Sequence, residues 1–231
     1  MKTLIVIPAR SGSRGVKDKN IQLVGGSSLI ERTIKSVEDL CSDNLDICFS
    51  SDSDKYLKHA KSFSSKIKLI KRSKELSSDT ALTIDVVKES IEHLGRENYD
   101  NILLLQVTTP FRKQNHIKEA LFKFKKNNYD SLVSIVNVEG YHPLRMKIIA
   151  DNYVENYIKQ GFENMIPRQQ LPDVYIRNGA IYLTKLEHLY NNNSMLSGKT
   201  GYFEMSSQES INIDSELDLE FAKFIAKKLS I

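Results

Sequence analysis

The residues with the clearest chemical potential lie in a basic, glycine-containing turn near the start of the chain. An apolar run at 4–7 precedes it, long enough for a buried strand and too short for a helix. Glycines let a backbone approach a ligand closely, and basic side chains add the charge that a polyphosphate needs. The residues of this turn are Ala9, Arg10, Ser11, Gly12, Ser13, Arg14, Gly15, Lys17, Lys19 and Asn20. This pattern favours a phosphate-binding loop, and an ordinary solvated Gly/Ser turn is the alternative.

The turn matches neither of two familiar nucleotide-binding fingerprints. The Gly-Lys-Ser/Thr ending of a Walker loop is missing, and so is the three-glycine spacing of a dinucleotide-binding turn. These absences exclude two nucleotide folds and leave phosphate binding open.

Three further polar clusters follow predicted strands. The cluster at 50–54 can cap the next helix. In the cluster at 72–80, Arg72 comes first, and Ser78, Asp79 or Thr80 can either cap the next helix or contact a ligand. The cluster at 106–112 contains an amide, two hydroxyls and a guanidinium, which suit a hydroxyl-rich ligand. Its alternative interpretation is a proline-terminated loop with an exposed arginine.

Several later residues are also candidates. Arg145 and Arg168 can each bind a carboxylate through paired hydrogen bonds, or can simply be surface arginines. Asp214 follows a short predicted strand at 210–213. Its carboxylate either holds Mg²⁺ against phosphate oxygens or caps the final helix.

The elements that position these residues alternate between strand and helix. Strands are predicted at 4–7, 46–50, 67–71, 101–105, 131–138, 180–183 and 202–205, and helices at 29–40, 55–63, 81–94, 117–124 and 216–229. This alternation predicts an α/β fold with a mostly parallel sheet and helices on both faces. Ligands bind at the carboxyl ends of the strands in such a sheet, where the polar clusters lie. The excursion at 140–173, with short strands at 146–150 and 153–157, is suited to covering the site or contacting a second subunit.

The composition limits the function classes. The 231 residues are 40% hydrophobic and 27% charged, which fits a single domain with a real core. A net charge of +4 with interspersed acids argues against a nucleic-acid surface. Two scattered cysteines fit neither a zinc site nor a redox pair, and no apolar run reaches membrane-spanning length. We therefore expect a cytoplasmic protein that binds neither nucleic acid nor membranes.

Together these motifs resemble those of the CMP-sialic acid synthetases, the acylneuraminate cytidylyltransferases, a family that includes legionaminic and pseudaminic acid synthetases. The matching stretches are Ile7 to Gly15 with Lys19-Asn20, Ser77 to Ala81, Gln106 to Pro110, Asn178 to Tyr182, and Ile213-Asp214. They occur in the family's order and cover nearly the whole chain. The related 3-deoxy-manno-octulosonate cytidylyltransferases usually carry an acidic residue in the Gln106 loop, so Val107-Thr108-Thr109 favours the acylneuraminate branch.

The resemblance implies a fold, a reaction and a set of roles. The fold would be the Rossmann-like one of nucleotide-diphospho-sugar transferases. CTP and a nine-carbon α-keto sugar acid would give the CMP-sugar and pyrophosphate. Residues 9–14, Lys19 and Asn20 would hold the nucleotide, with Arg72 and Ser78 at the cytidine. Arg10, Lys19 and Asp214 would be catalytic. The sugar acid would contact Gln106, Thr108, Arg145, Arg168, Asn178 and Tyr182, with Arg168 at its carboxylate.

The resemblance also implies a metal site and an assembly. Asp214 would bind Mg²⁺, together with Asn212 where many members have a second aspartate. An amide oxygen at that position can coordinate the ion but brings no charge. The excursion at 140–173 would form the dimerisation subdomain of a homodimer. A transferase of the same fold for another sugar, such as 3-deoxy-manno-octulosonate, and a non-catalytic nucleotide-binding module are the alternatives.

Overall fold

The computed structural model describes residues 1–13, 15–159 and 165–231. The strands are β1 (Thr3–Pro8), β2 (Leu23–Val24), β3 (Ser27–Ser28), β4 (Leu45–Ser51), β5 (Lys68–Lys71), β6 (Asn101–Leu104), β7 (Ser131–Asn137), β8 (Lys147–Ala150), β9 (Tyr153–Asn156), β10 (Tyr175–Lys185) and β11 (Thr200–Glu204). The α-helices are α1 (Leu29–Lys35), α2 (Asp54–Lys61), α3 (Thr83–Leu94), α4 (Gln114–Lys126), α5 (Leu186–Asn192) and α6 (Glu216–Lys228).

The central sheet has the strand order β11-β7-β10-β6-β1-β4-β5. Pairing is parallel between β1 and its neighbours β4 and β6, between β4 and β5, and between β7 and β11. Only β10 runs antiparallel within this sheet as described, against both β6 and β7. The predicted mostly parallel α/β sheet is therefore confirmed.

Alternate residues of β1 face opposite sides of the sheet, as the period of a strand requires. Ile5 and Ile7 pack with α1, α2, α4 and α6 on one face, and Leu4 and Val6 pack with α3 and α5 on the other. All four side chains are fully buried, and each contributes about 1.5–3 kcal/mol by leaving water. Helices on both faces thus hold β1 rigidly, and the basic turn starts where this strand ends.

Two local predictions differ from the structure, and one helix was not predicted. Helix α1 ends at Lys35, and a short 3₁₀ turn at Glu38–Leu40 replaces the rest of the predicted helix at 29–40. The strand predicted at 210–213 is wrong, because the segment makes a loop whose Ile213 N–H donates to the Thr108 carbonyl at 2.9 Å. Helix α5 was not predicted.

The excursion at 140–173 forms a separate β8–β9 hairpin, which pairs from Lys147 with Asn156 to Ala150 with Tyr153. Residues 160–164, within the same excursion, lie outside the described ranges. In the described parts of the chain, no helix is both long enough and apolar enough to cross a membrane.

Candidate active site

A cavity of about 530 Å³ opens at the carboxyl ends of β1 and β6, and is called the loop cavity below. The parallel strands bring the basic turn and the polar clusters at 72–80 and 106–112 to the same edge of the sheet. The predicted residues that line the cavity are Ala9, Arg10, Ser13, Lys19, Asn20, Arg72, Ser78, Gln106, Thr108, Asn212 and Asp214. Residues far apart in the sequence thus meet where ligands bind in this architecture.

Part of the basic turn faces the neighbouring β4 loop instead. Ser11 and Gly12 are not among the described residues lining the loop cavity. The Ser11 N–H donates to Asp52 Oδ1 at 2.7 Å, and its hydroxyl donates to Asp52 Oδ2. Burial opposes the charge of Asp52, but these hydrogen bonds from Ser11 outweigh it and lower the pKa of the carboxyl. Asp52, which belongs to the predicted polar cluster at 50–54 but was not predicted as a site residue, therefore anchors the turn. The predicted Arg14 lies outside the described residues.

Arg10 and Asn20 hold the two sides of the turn together. The Asn20 amide is buried and donates to the Arg10 carbonyl at 2.9 Å, so it fixes the backbone of the turn. The Arg10 guanidinium forms an ion pair with Asp79 at 2.5 Å. This pair joins the end of β1 to the 72–80 cluster across the cavity.

Gly15 and Lys19 connect the turn to the segment before α6. A Cβ added at Gly15 would lie 1.9 Å from the Asp214 carbonyl oxygen, so only glycine allows this approach. Lys19 Nζ donates to the Ile213 carbonyl at 2.8 Å and to Asp214 Oδ1 at 3.1 Å. The side chain of Lys19 is 13% exposed and that of Asp214 is 69% exposed. A lysine and a carboxylate thus stand side by side at the edge of the loop cavity.

Arg72 and Ser78 line the cavity from the β5 side. Arg72 is buried and donates from Nη2 to the Ser50 carbonyl at 3.0 Å. Burial lowers the pKa of its guanidinium, although Asp52 and Glu89 oppose that effect. The capping alternative for Ser78 and its neighbours is wrong, since α3 has Leu82 at its N-cap with no side-chain hydrogen bond.

A second cavity of about 380 Å³ adjoins the first and is called the β10 cavity below. Gln106 and Asn212 line both cavities, so a ligand in one lies next to a ligand in the other. The remaining lining residues of the β10 cavity are Val136, Ile176, Arg177, Asn178, Gly179, Tyr182 and Ser210. Asn178 and Tyr182 were predicted as substrate residues, and Arg177 was not.

Asn178 has a structural role, because its side chain is already hydrogen-bonded on both ends. Its Oδ1 accepts from Ser134 Oγ at 2.6 Å and from the Ala180 N–H at 3.1 Å, and its Nδ2 donates to Ser210 Oγ at 2.8 Å. Tyr182 borders the same cavity, and burial raises the pKa of its hydroxyl while the positive charge of Arg177 partly offsets that rise. The tyrosine is thus a neutral hydroxyl at ordinary pH.

Arg112 stabilises the loop of Gln106, the residue that borders both cavities. Its Nη1 donates to the Gln106 carbonyl at 3.0 Å, to Thr109 Oγ1 at 2.9 Å and to the Ala180 carbonyl at 2.9 Å. Burial lowers the pKa of this guanidinium to about 9. The exposed-arginine interpretation is wrong. Arg112 instead ties the Gln106 loop to β10, which a sequence pattern cannot reveal.

Arg145 and Arg168 are not among the described residues that line either cavity. Arg145 donates to the Ile166 carbonyl at 3.0 Å, and Arg168 lies 3.5 Å from Glu139 in a separate depression beside the excursion. Within one chain, the structure does not bring these two arginines to Gln106 and Tyr182. Their predicted contact with a sugar acid stays a prediction.

The donors at 212 and 214 fit a magnesium ion that takes most of its ligands from elsewhere. Asn212 Oδ1 is buried and has no hydrogen-bond partner among the described residues, while its Nδ2 donates to Asp214 Oδ2. Over the described ranges, no three His, Cys, Asp or Glu side chains form a group that could hold a metal. Mg²⁺ commonly binds through one or two carboxylates plus substrate phosphates and water, and this pair allows that. The helix-capping alternative for Asp214 is wrong, since Ser215 caps α6 with Asp218.

Comparison with known proteins identifies the family of the chain. The chain is 32% identical over 94% of its length to an N-acylneuraminate cytidylyltransferase of Streptococcus agalactiae, and spans about half of that relative (52%). It is 29% identical to a pseudaminic acid cytidylyltransferase of Campylobacter jejuni, covering 98% of this chain and 97% of that one. A CMP:2-keto-3-deoxy-manno-octonic acid synthetase structure with CTP shares the fold, with a TM-score of 0.70 over 99% of this chain and 100% of the other at 15% identity. A family model described as cytidylyltransferase matches residues 4–228, so the chain belongs to the cytidylyltransferase family.

Proposed function

We propose that this protein activates a nonulosonic sugar acid with CTP, giving the CMP-sugar and pyrophosphate. The observation that carries the proposal is the junction of two cavities at Gln106 and Asn212. One cavity is bordered by the basic turn and suits a triphosphate, and the other offers amides and hydroxyls to a sugar. The names of the relatives from Streptococcus agalactiae and Campylobacter jejuni support this class of substrate.

In the proposed reaction, the anomeric hydroxyl oxygen of the sugar acid bonds to the α-phosphorus of CTP. The bond from that phosphorus to the oxygen bridging the β-phosphate breaks, and pyrophosphate leaves with the electron pair. Catalysis of this kind depends mainly on positioning and on stabilising charge. Arg10 and Lys19, which border the loop cavity, would supply positive charge to the phosphates. Asp214 would accept the hydroxyl proton.

Asn212 and Asp214 would hold Mg²⁺ beside the phosphate oxygens, whose negative charge the ion offsets when bound. We expect Asp214→Ala to abolish Mg²⁺-dependent turnover and leave the fold intact, because the side chain is largely exposed. Circular dichroism and a magnesium titration of pyrophosphate release would measure both effects. Near-normal turnover in this variant would show that the metal and proton roles are misassigned.

We also propose that the chain forms a homodimer through the β8–β9 hairpin. This hairpin presents large apolar side chains to solvent, with Ile149 85% exposed and its ladder partner Val154 64% exposed. Apolar surface of this kind is typical of protein interfaces. Arg145 and Arg168 belong to the same excursion, so dimerisation there would place them near the interface. Ile149→Asp should yield a monomer in analytical ultracentrifugation, and an unchanged mass, whether monomeric or dimeric in both proteins, would contradict this assembly.

The test of the activity is pyrophosphate release. Each of the four nucleoside triphosphates is incubated with sialic, legionaminic, pseudaminic and 3-deoxy-manno-octulosonic acids. Release with CTP and a nine-carbon acid is the expected result. Raised thermal stability with CTP but no pyrophosphate would indicate a binding module instead. The cytoplasmic location stays a prediction.

A further inference from the structure

The β10 cavity contains one feature that the sequence motifs did not point to, the side chain of Arg177. Its other polar lining groups are uncharged: the amides of Gln106, Asn178 and Asn212 and the hydroxyls of Tyr182 and Ser210. Among the described residues lining this cavity, Arg177 is the one cation. A sugar acid carries one anionic group, its carboxylate, next to the anomeric carbon. A guanidinium is suited to a carboxylate because it can donate two parallel hydrogen bonds.

The backbone around Arg177 departs from regular strand pairing, which changes the direction of this side chain. In the pairing of β10 with β7, the register shifts between Arg177 and Tyr182, which oppose Ile135 and Val133. Bulges of this kind turn side chains toward neighbouring sites and often occur beside active sites. The network that links Asn178 to Ser134 and Ser210 holds the bulge in place. Arg177 therefore projects from a fixed support.

The guanidinium is also available to a ligand. Arg177 is exposed, and no carboxylate in the described ranges lies within ion-pair distance of it. Arg168, the arginine first predicted to bind the carboxylate, is paired with Glu139 and lines a different depression. Arg177 shares the β10 cavity with Gln106, which also borders the loop cavity.

We infer that Arg177 binds the carboxylate of the sugar acid and so selects an acid over a neutral sugar. The inference rests on the proposed function. The contact orients the anomeric hydroxyl toward the nucleotide in the adjoining cavity. Loss of one charge-assisted pair corresponds to about a 10- to 100-fold loss of kcat/KM for the acid.

The test compares a sugar acid with its methyl ester, which keeps the sugar and removes the charge. The ratio of kcat/KM for acid and ester is measured by pyrophosphate release for the wild type, Arg177→Met and Arg177→Lys. We expect the ratio to fall at least tenfold in Arg177→Met, with the ester affected less than about threefold and Arg177→Lys intermediate. Lys118→Met, which removes an exposed charge from α4, is the matched control and should keep the wild-type ratio.

Each other outcome is decisive. If Arg177→Met keeps the wild-type preference for the acid, or loses acid and ester activity equally, the inference is overturned. A preference that is kept in Arg177→Met and lost in Arg168→Met would overturn it in favour of Arg168. If the wild type releases no pyrophosphate with any acid, the proposed function fails and the inference fails with it.

Discussion

Gly179 should control where the Gln106 amide sits, because its missing side chain leaves the space that this amide occupies. Its φ is +82°, and an added Cβ would lie 2.6 Å from Gln106 Oε1. The clashing atom is the end of a flexible side chain, so the chain can fold if the amide moves. We therefore expect Gly179→Ala to fold with Gln106 displaced from the junction of the two cavities.

The expected effects of Gly179→Ala have two sources, the left-handed backbone at position 179 and the displacement of Gln106. The left-handed backbone costs an alanine about 1–2 kcal/mol, which lowers the melting temperature by roughly 2–8 °C for a chain of this length. Losing one neutral hydrogen bond to the sugar costs about 0.5–1.5 kcal/mol, or roughly a 2- to 10-fold rise in KM. Differential scanning calorimetry and steady-state pyrophosphate release measure the two effects separately.

Gly26→Ala is the matched control for the backbone cost. Gly26 has a φ of +79°, and no described atom lies within 4 Å of the position its Cβ would take. Gly26→Ala should lower the melting temperature by a similar amount and keep the wild-type KM for the sugar acid. If Gly179→Ala also keeps that KM, the position of Gln106 does not depend on the missing Cβ, and our account of this junction is refuted.

Two carboxylates offer further predictions. Burial disfavours the charge of Asp46, but hydrogen bonds from two lysines and a tyrosine outweigh it and lower its pKa to about 2. Because this pKa is below its unfolded value of 3.8, the stability contribution is complete above about pH 5 and is lost as the pH falls through about 2. Asp46→Asn should lower the free energy of unfolding by about 1–2 kcal/mol at pH 7, as measured by urea unfolding. A loss that persists unchanged at pH 2 would contradict this. Asp52→Ala should raise the KM for CTP several-fold more than that for the sugar acid, because it releases Ser11; equal changes would argue against a specific effect on the turn.

The position of the site was predictable because parallel strands end at a common edge. The motifs at Arg10 and Gln106 each follow a buried apolar strand, and Arg72 follows the edge strand β5, so their meeting follows from the fold class. The apolar runs that placed β1 and β6 reflect burial on both faces, which is a strong local signal. The position of the basic turn at the end of β1 could therefore be predicted from the sequence.

The partners within the site were not predictable from local pattern. Asp52 and Asp79 meet the turn only because β4 pairs with β1 and β5 pairs with β4, and nothing near these aspartates in sequence indicates the contacts with Ser11 and Arg10. The direction of the Arg177 side chain depends on a register shift, which reflects the packing of Asn178 against Ser134. Contacts of this kind arise from tertiary structure, which overrides the local preference of a strand.

The segment at 212–214 shows why the metal and phosphate roles belong together. Ile213 is joined to the Gln106 loop through Thr108, and Lys19 of the basic turn donates to the Ile213 carbonyl. Gly15 lies against the Asp214 backbone, so a shift of the turn moves the carboxylate with it. At position 212, an amide donates to the Asp214 carboxylate, whereas a second carboxylate would repel it. The asparagine thus holds Asp214 in place without a metal, at the cost of one negative charge toward Mg²⁺.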